Sequence, residues 1–126
     1  MEARPAELLA YAQAAYFAAT GVWPIVHMPS FLAVTGPKRD LWLVKTVGAL
    51  VAAVALPIGV AAWNKNVTPE IVLLAAGTAA TLGAVDVVYV AKRVIPKVYL
   101  FDAAAEALLI AGWAAVWFRM GGGVVH

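Results

Sequence analysis

The chain has 126 residues, of which 64% are hydrophobic and 13% charged, with a mean hydropathy of +0.87; that balance lies outside soluble domains and excludes a separate water-soluble catalytic unit. The formal charge of +2 comes from lysines and arginines at the ends of apolar runs, where membrane topology puts them, and this placement argues against a nucleic-acid partner. With no cysteine, disulfides, thiol redox chemistry and cysteine-based zinc sites are excluded as well.

Four stretches approach the roughly 20 apolar residues that a helix needs to cross a bilayer: about 6–26, 41–63, 69–91 and 98–118. They predict an all-α fold, an integral membrane four-helix bundle of two transmembrane hairpins that forms a single domain over 1–126. The opening MEARPAELLAYAQ carries acids and lacks a small-residue cleavage site after a short apolar core, so the first span is expected to stay in the protein. Gly36 and Pro37 break the chain before the second span, and Pro57 within it removes a backbone donor and predicts a kink. Ahead of the third span, Thr68 reads as the N-cap, Pro69 as the first helical residue and Glu70 as a first-turn acid. Gly121, Gly122 and Gly123 are expected to end the fourth.

Lys38, Arg39 and Lys45 flank the first connection and Lys92, Arg93 and Lys97 the third, against Arg4, Lys65 and Arg119 on the opposite side. The positive-inside rule then predicts a multi-pass inner-membrane protein with both termini outside, periplasmic or extracellular. Trp23 and Trp42 fall near the inner boundary and Trp63 and Trp117 near the outer one, as an aromatic belt requires. Ala75, Ala79 and Gly83 on the third span, and Ala103, Ala107, Ala111 and Ala115 on the fourth, form small-residue stripes suited to close helix packing in lipid.

The acids are the anomaly. Asp86, Asp102 and Glu106 sit inside or at the edges of apolar runs, where an Asp at a span centre costs about 2.5–3.5 kcal/mol on insertion scales and ionisable groups mark functional sites. They are expected to face the bundle interior. At 3.6 residues per turn, Gln13, Tyr16, Thr20 and His27 share one face of the first span, and Gly83, Asp86, Val90 and Arg93, with Tyr89 beside them, share one face of the third. Tyr99, Asp102 and Glu106 line up on the fourth and continue to Trp113, while Lys45 adds a charge one turn inside the second. The candidate ligand-binding residues are therefore Tyr16, His27, Lys45, Asp86, Tyr89, Tyr99, Asp102, Glu106 and Trp113. Like charges one turn apart repel, so Asp102 and Glu106 call for a proton or a cation between them. A competing reading of the same residues is an internal ion-pair network in which Lys45 and Arg93 neutralise the three acids.

Familiar chemistries find no footing. Asp102 and Glu106 with one distant histidine make a poor metal set, and neither HExxH nor the paired Glu-x-x-His of bundle di-metal proteins occurs, so no metal is assigned. Ser30, the one serine, has no GxSxG around it, and no Walker or dinucleotide fingerprint is present. No cofactor, no reaction and no catalytic residue is assigned.

The connection HMPSFLAVTGPKRDLWLVKTVG and the later run LGAVDVVYVAKRVIPKVYLFDAAAE resemble a group of small bacterial four-helix membrane proteins related to the DoxX-like families, over about His27 to Trp113. The resemblance implies a bacterial inner-membrane bundle whose polar positions here are His27, Ser30, Thr35, Gly36, Pro37, Asp40, Lys45, Asp86, Asp102 and Glu106. It implies no activity. A more distant likeness is to the four-helix sterol-isomerase and sterol-binding superfamily, which holds acids and aromatics in an intramembrane pocket; the chain lacks that superfamily's characteristic acid and Trp/Asn arrangement, and no catalytic residue is carried over.

Four functions fit these residues. The leading one is a membrane protein that binds a small hydrophobic or amphipathic ligand in an intramembrane pocket, its partners being the lipid bilayer, that ligand and a second copy of the chain. The others are a proton-coupled or cation transporter or channel using the acid pair, a membrane-embedded isomerase-type lipid enzyme with the pair as general acid and base, and a structural or accessory subunit.

Overall fold

A computed structural model of the chain describes residues 5–123, with side chains through Arg119; Arg4, one of the charges used for orientation, and both ends of the 1–126 domain lie outside the described residues. Among the described residues five helices follow one another: α1 (Pro5–Val26), α2 (Met28–Thr35), α3 (Leu41–Trp63), α4 (Pro69–Ala91) and α5 (Tyr99–Gly123). The expected second and third spans coincide with α3 and α4, including the Thr68 hydroxyl that accepts the Ile71 N–H at 3.3 Å to cap α4. α5 differs from the expected 98–118 at its far end, running through the triple glycine instead of stopping before it.

α3, α4 and α5 are long and apolar enough to cross a membrane, whereas α1 meets that standard only together with α2, across a bend of 115°. Glu7, Tyr11, Gln13 and Tyr16 dilute the apolar character of α1, which is why its length alone does not suffice. The molecule is thus a multi-span helical membrane bundle with three clear spanning helices and a fourth, bent element.

Local chemistry builds the bend. His27 caps α2, its Nδ1 accepting the Ser30 N–H at 3.2 Å, and Trp23 on α1 donates its indole N–H to the Ser30 hydroxyl at 2.8 Å. The Trp23 and Phe31 rings meet edge to face with centroids 5.4 Å apart, which holds α2 back against α1. α2 stops at Gly36, whose φ of +97° disfavours any side chain and where a Cβ would lie 2.8 Å from Cγ of Pro96. α3 continues through Pro57, and α1 through Pro24.

α1 packs along α3 and α4 along α5, and α1–α5 and α3–α4 contacts close the bundle. α1 and α3 approach backbone to backbone at Gly21 and Gly48: a Cβ on Gly21 would lie 2.5 Å from the Gly48 carbonyl oxygen, and one on Gly48 would strike the Gly21 carbonyl. The connections before α3 and before α5 meet at one end of the bundle, where Lys38 Nζ lies 5.1 Å from the Tyr99 ring centroid.

The exterior differs from that of a water-soluble bundle. Phe101, Leu108 and Phe118 are 79, 75 and 77% exposed, and large apolar side chains point outward from each long helix, far more apolar surface than a soluble monomer shows. Buried are Ala10, Ile58, Ala62, Val72, Ala75, Trp113 and Val116, which form the core, together with the polar side chains of Glu7, Gln13, Thr35, Asp86 and Glu106. The outward face is suited to lipid.

Candidate functional site

Because α4 and α5 run antiparallel from the same short connection, the last turns of α4 face the first turns of α5. Asp86 on α4 therefore meets Asp102 on α5, and one turn deeper Gly83 makes room for Glu106, whose Cβ would lie 3.2 Å from a Cβ placed on the glycine. The Asp102 carboxyl is within hydrogen-bonding reach of both Asp86 and Glu106. From α1, the Tyr16 hydroxyl donates to Oδ1 of Asp102. Three carboxyls and one phenol from three helices thus converge on one region of the interior.

The cluster is buried but incompletely satisfied. Glu106 is 1% and Asp86 5% exposed, and among the described residues Glu106 Oε1 and Asp86 Oδ2 have no hydrogen-bond partner. Asp102, in the first turn of α5, is partly exposed and interacts favourably with the amino-terminal end of the helix dipole. Among the described residues no basic side chain offsets these acids: the groups that act on Asp86 and Glu106 are carboxyls. The cations are occupied elsewhere or exposed. Lys38 donates to the carbonyls of Thr35 and Gly36 and to the Thr35 hydroxyl at 2.8–3.2 Å, closing the carboxyl end of α2. Lys45 and Arg93 are exposed, and Lys92 lies over the Tyr89 ring, 5.6 Å from its centroid. An internal ion-pair network of Lys45 and Arg93 with the three acids is absent among the described residues.

The candidate residues therefore divide. Tyr16, Asp86, Asp102 and Glu106 come together. Tyr99 lies one turn before Asp102, but its ring faces Lys38; exposed Tyr89 faces Lys92; His27 is spent on capping α2; Lys45 stays apart. Trp113 lies about two helical turns beyond Glu106 in the apolar core, where its indole N–H donates to Oε1 of Gln13 at 2.6 Å. Gln13 in turn donates to the Ala75 carbonyl at 2.9 Å, so one amide joins α1, α4 and α5. Gln13 stands on the polar face of α1 in the sequence, yet its partners are an indole and a main-chain carbonyl, and no spacing rule picks those out in advance.

A shallow apolar groove of about 420 Å³ lies between α1 and α3, lined in part by Tyr11, Ala14, Ala18, Ala55, Gly59 and Trp63. It includes none of the acids. Among the described residues, no three His, Asp or Glu side chains are placed to hold a metal ion together. What the cluster can do chemically is accept hydrogen bonds and stabilise positive charge. Comparison with protein-family models, with curated proteins and with solved structures finds no match to this chain.

Proposed function

We propose that the chain is a four-span bacterial inner-membrane protein, with both termini outside, that binds a small amphipathic molecule at the carboxyl cluster of α1, α4 and α5. The observation that carries this reading is a pair of buried oxygens, Asp86 Oδ2 and Glu106 Oε1, that among the described residues have no hydrogen-bond partner and no basic side chain against them. A buried acceptor left unpaired costs about 1–3 kcal/mol, more when charged, and a donor brought by a ligand removes that cost. Asp102 is partly exposed beside the outward-facing Phe101, so a polar head seated in the cluster leaves its apolar body at the lipid-facing surface. The four-span count takes α1 and α2 as one broken span, the orientation follows the lysine and arginine bias, and the resemblance to the DoxX-like families belongs to the same proposal.

Native mass spectrometry of the mildly extracted protein tests the reading against an Asp102→Asn, Glu106→Gln double variant of equal yield. A small molecule retained by the wild type and lost by the variant supports it; a ligand-free wild type of the same mass pattern as the variant counts against it. The lack of a basic neighbour among the described residues also favours a second reading, carriage of a proton or cation by the same acids. Vesicles holding the wild type and Glu106→Gln distinguish the two, since carriage requires a flux that the variant loses.

A further inference from the structure

Away from the carboxyl cluster, we propose that the end of the bundle built from the connections before α3 and before α5 is a docking surface for the headgroups of anionic phospholipids. Charge is divided unequally between the two ends. Lys38, Arg39 and Lys45 stand on the first connection and the start of α3, and Lys92, Arg93 and Lys97 on the second, while residues 27–46 hold the single acid Asp40 and residues 87–101 hold none. At the opposite end Lys65 and Arg119 stand against Glu7 and Glu70. The two basic segments are neighbours in space: a Cβ on Gly36 would lie 2.8 Å from Cγ of Pro96, and Lys38 Nζ lies 5.1 Å from the Tyr99 ring centroid. Their charges therefore act on one region. The nearest further acid, Asp102, turns inward to the Tyr16 hydroxyl.

Helix dipoles account for part of this placement and not for the rest. Arg93 follows the carboxyl end of α4 at a φ of +61°, as Lys65 follows that of α3 at +54°, and a cation suits a carboxyl end wherever it lies. Arg39, Lys45 and Lys97 instead sit at the amino-terminal ends of α3 and α5, which are themselves positive, and Asp40 makes no side-chain cap there. An outside anion offsets that repulsion. The surface is open to one: Arg39, Lys45, Arg93 and Lys97 are exposed, and among the described residues none of them is paired with a carboxylate. Lys38, spent on Thr35 and Gly36, adds field without a free donor. What selects a lipid over a soluble acidic partner is the apolar interleaving, since Trp42 and Val94 are exposed beside Lys45 and Arg93. Cations with an indole among them match the headgroup level of a bilayer. An anionic phospholipid brings a phosphate to the cations and acyl chains to Trp42 and Val94, whereas a zwitterionic lipid carries its own cation beside its phosphate and gains little.

Delipidated protein in a non-ionic detergent is titrated with dioleoylphosphatidylglycerol, dioleoylphosphatidylcholine and glycerol 3-phosphate, with binding read by native mass spectrometry and by thermal shift at low and high salt. The wild type is expected to prefer phosphatidylglycerol by roughly tenfold or more, and the preference is expected to shrink in about 1 M salt. That comparison needs no variant. The pairs Arg39→Gln, Lys45→Gln and Arg93→Gln, Lys97→Gln are each expected to weaken phosphatidylglycerol by roughly ten- to thirtyfold, about fivefold per cation, and to leave phosphatidylcholine unchanged. Lys65→Gln, Arg119→Gln removes the same charge from the opposite end and is expected to change phosphatidylglycerol binding less than about twofold. Equal binding of the two lipids by the wild type overturns the proposal, and an equal loss in the Lys65, Arg119 pair overturns its assignment to this end. Glycerol 3-phosphate binding that the basic-end variants weaken, with no preference between the lipids, makes the occupant a soluble phosphate and overturns the lipid. Phosphatidylglycerol retained by Asp102→Asn, Glu106→Gln supports a surface separate from the carboxyl cluster, and its loss there places the lipid in that cluster and overturns docking at the basic end.

Discussion

Trp113 and Gln13 are joined across the bundle: the indole N–H of α5 donates to the side-chain oxygen of α1 at 2.6 Å, and the amide N–H of Gln13 continues to the Ala75 carbonyl of α4 at 2.9 Å. Both side chains are fully buried, so none of these groups has water as an alternative partner. In lipid, where burying apolar surface no longer drives helices together, a polar tie of this kind takes on part of that role.

A double-mutant cycle measures the tie. Gln13→Leu and Trp113→Phe each lower the stability of the detergent-solubilised protein, and the pair shows a coupling of about 0.6–1.7 kcal/mol, the range found for interhelical hydrogen bonds in membranes. Since Trp113 lies away from the carboxyls, ligand retention by the correctly folded Trp113→Phe protein is expected to equal that of the wild type. Coupling near zero would mean that the bond is exchanged for another in the unfolded state.

The close approach of α1 and α3 makes glycine substitutions unequal. A Cβ on Gly48 meets the Gly21 carbonyl and, at 3.2 Å, Cγ of Pro24, so the backbones must separate. Gly48→Ala is expected to destabilise by about 1–3 kcal/mol, as overpacking does. At Gly77 a Cβ meets nothing within 4 Å, and Gly77→Ala is expected to gain up to about 1 kcal/mol from helix propensity. Unfolding of both variants in one detergent gives the comparison, and equal effects would contradict the tight α1–α3 contact.

The membrane architecture was legible because hydrophobic length and capping chemistry are local: α3 and α4 start at Leu41 and Pro69 and end at Trp63 and Ala91, as the apolar runs and the Thr68 cap indicate. α2 was not legible. It forms within a stretch that reads as a connection, and its existence depends on Trp23, His27 and Ser30 capping one another in three dimensions. The convergence of Tyr16, Asp86, Asp102 and Glu106 follows from helical spacing and antiparallel pairing. The absence of Lys45 and Arg93 from that cluster does not, because a long flexible cation on a helix end has two outlets, and here Lys45 and Arg93 point outward. Triple glycine at the end of α5 likewise lacks the local stop that its propensity implies, since three glycines lower helix stability without forbidding helical dihedrals.

Lys38 ties α2 to the bundle through three hydrogen bonds to Thr35 and Gly36 and through contact with the faces of Phe31 and Tyr99. Lys38→Met keeps the apolar stem and removes the charge. It is expected to cost about 1 kcal/mol, the typical net worth of a lost cap or hydrogen bond, and to loosen the structure locally rather than globally. Hydrogen exchange should accelerate over residues 28–36 while the centres of α3, α4 and α5 keep their protection. Uniform acceleration in all five helices would show instead that α2 and the bundle unfold as one unit.

The carboxyl cluster predicts an opposition between stability and binding. Glu106 is almost fully buried against Gly83, and among the described residues one of its oxygens has no partner and its ionisable neighbours are acids. Replacing it with glutamine preserves its shape, removes the cost of ionising a buried acid beside Asp102 and supplies an N–H that Asp102 can accept. Glu106→Gln is therefore expected to leave the ligand-free protein as stable as the wild type or more stable by about 1–2 kcal/mol, in line with the gain often seen on removing poorly compensated buried charge. Asp102→Asn should gain less, because Asp102 already receives the Tyr16 hydroxyl and is partly exposed. Both should lose the bound molecule, since the acceptors that draw it in are the groups removed. Thermal unfolding of ligand-stripped protein beside ligand retention decides the matter. A variant that loses both stability and ligand would place the carboxyl in the framework of the bundle, whereas stability retained with binding lost is what a site held at the expense of stability requires.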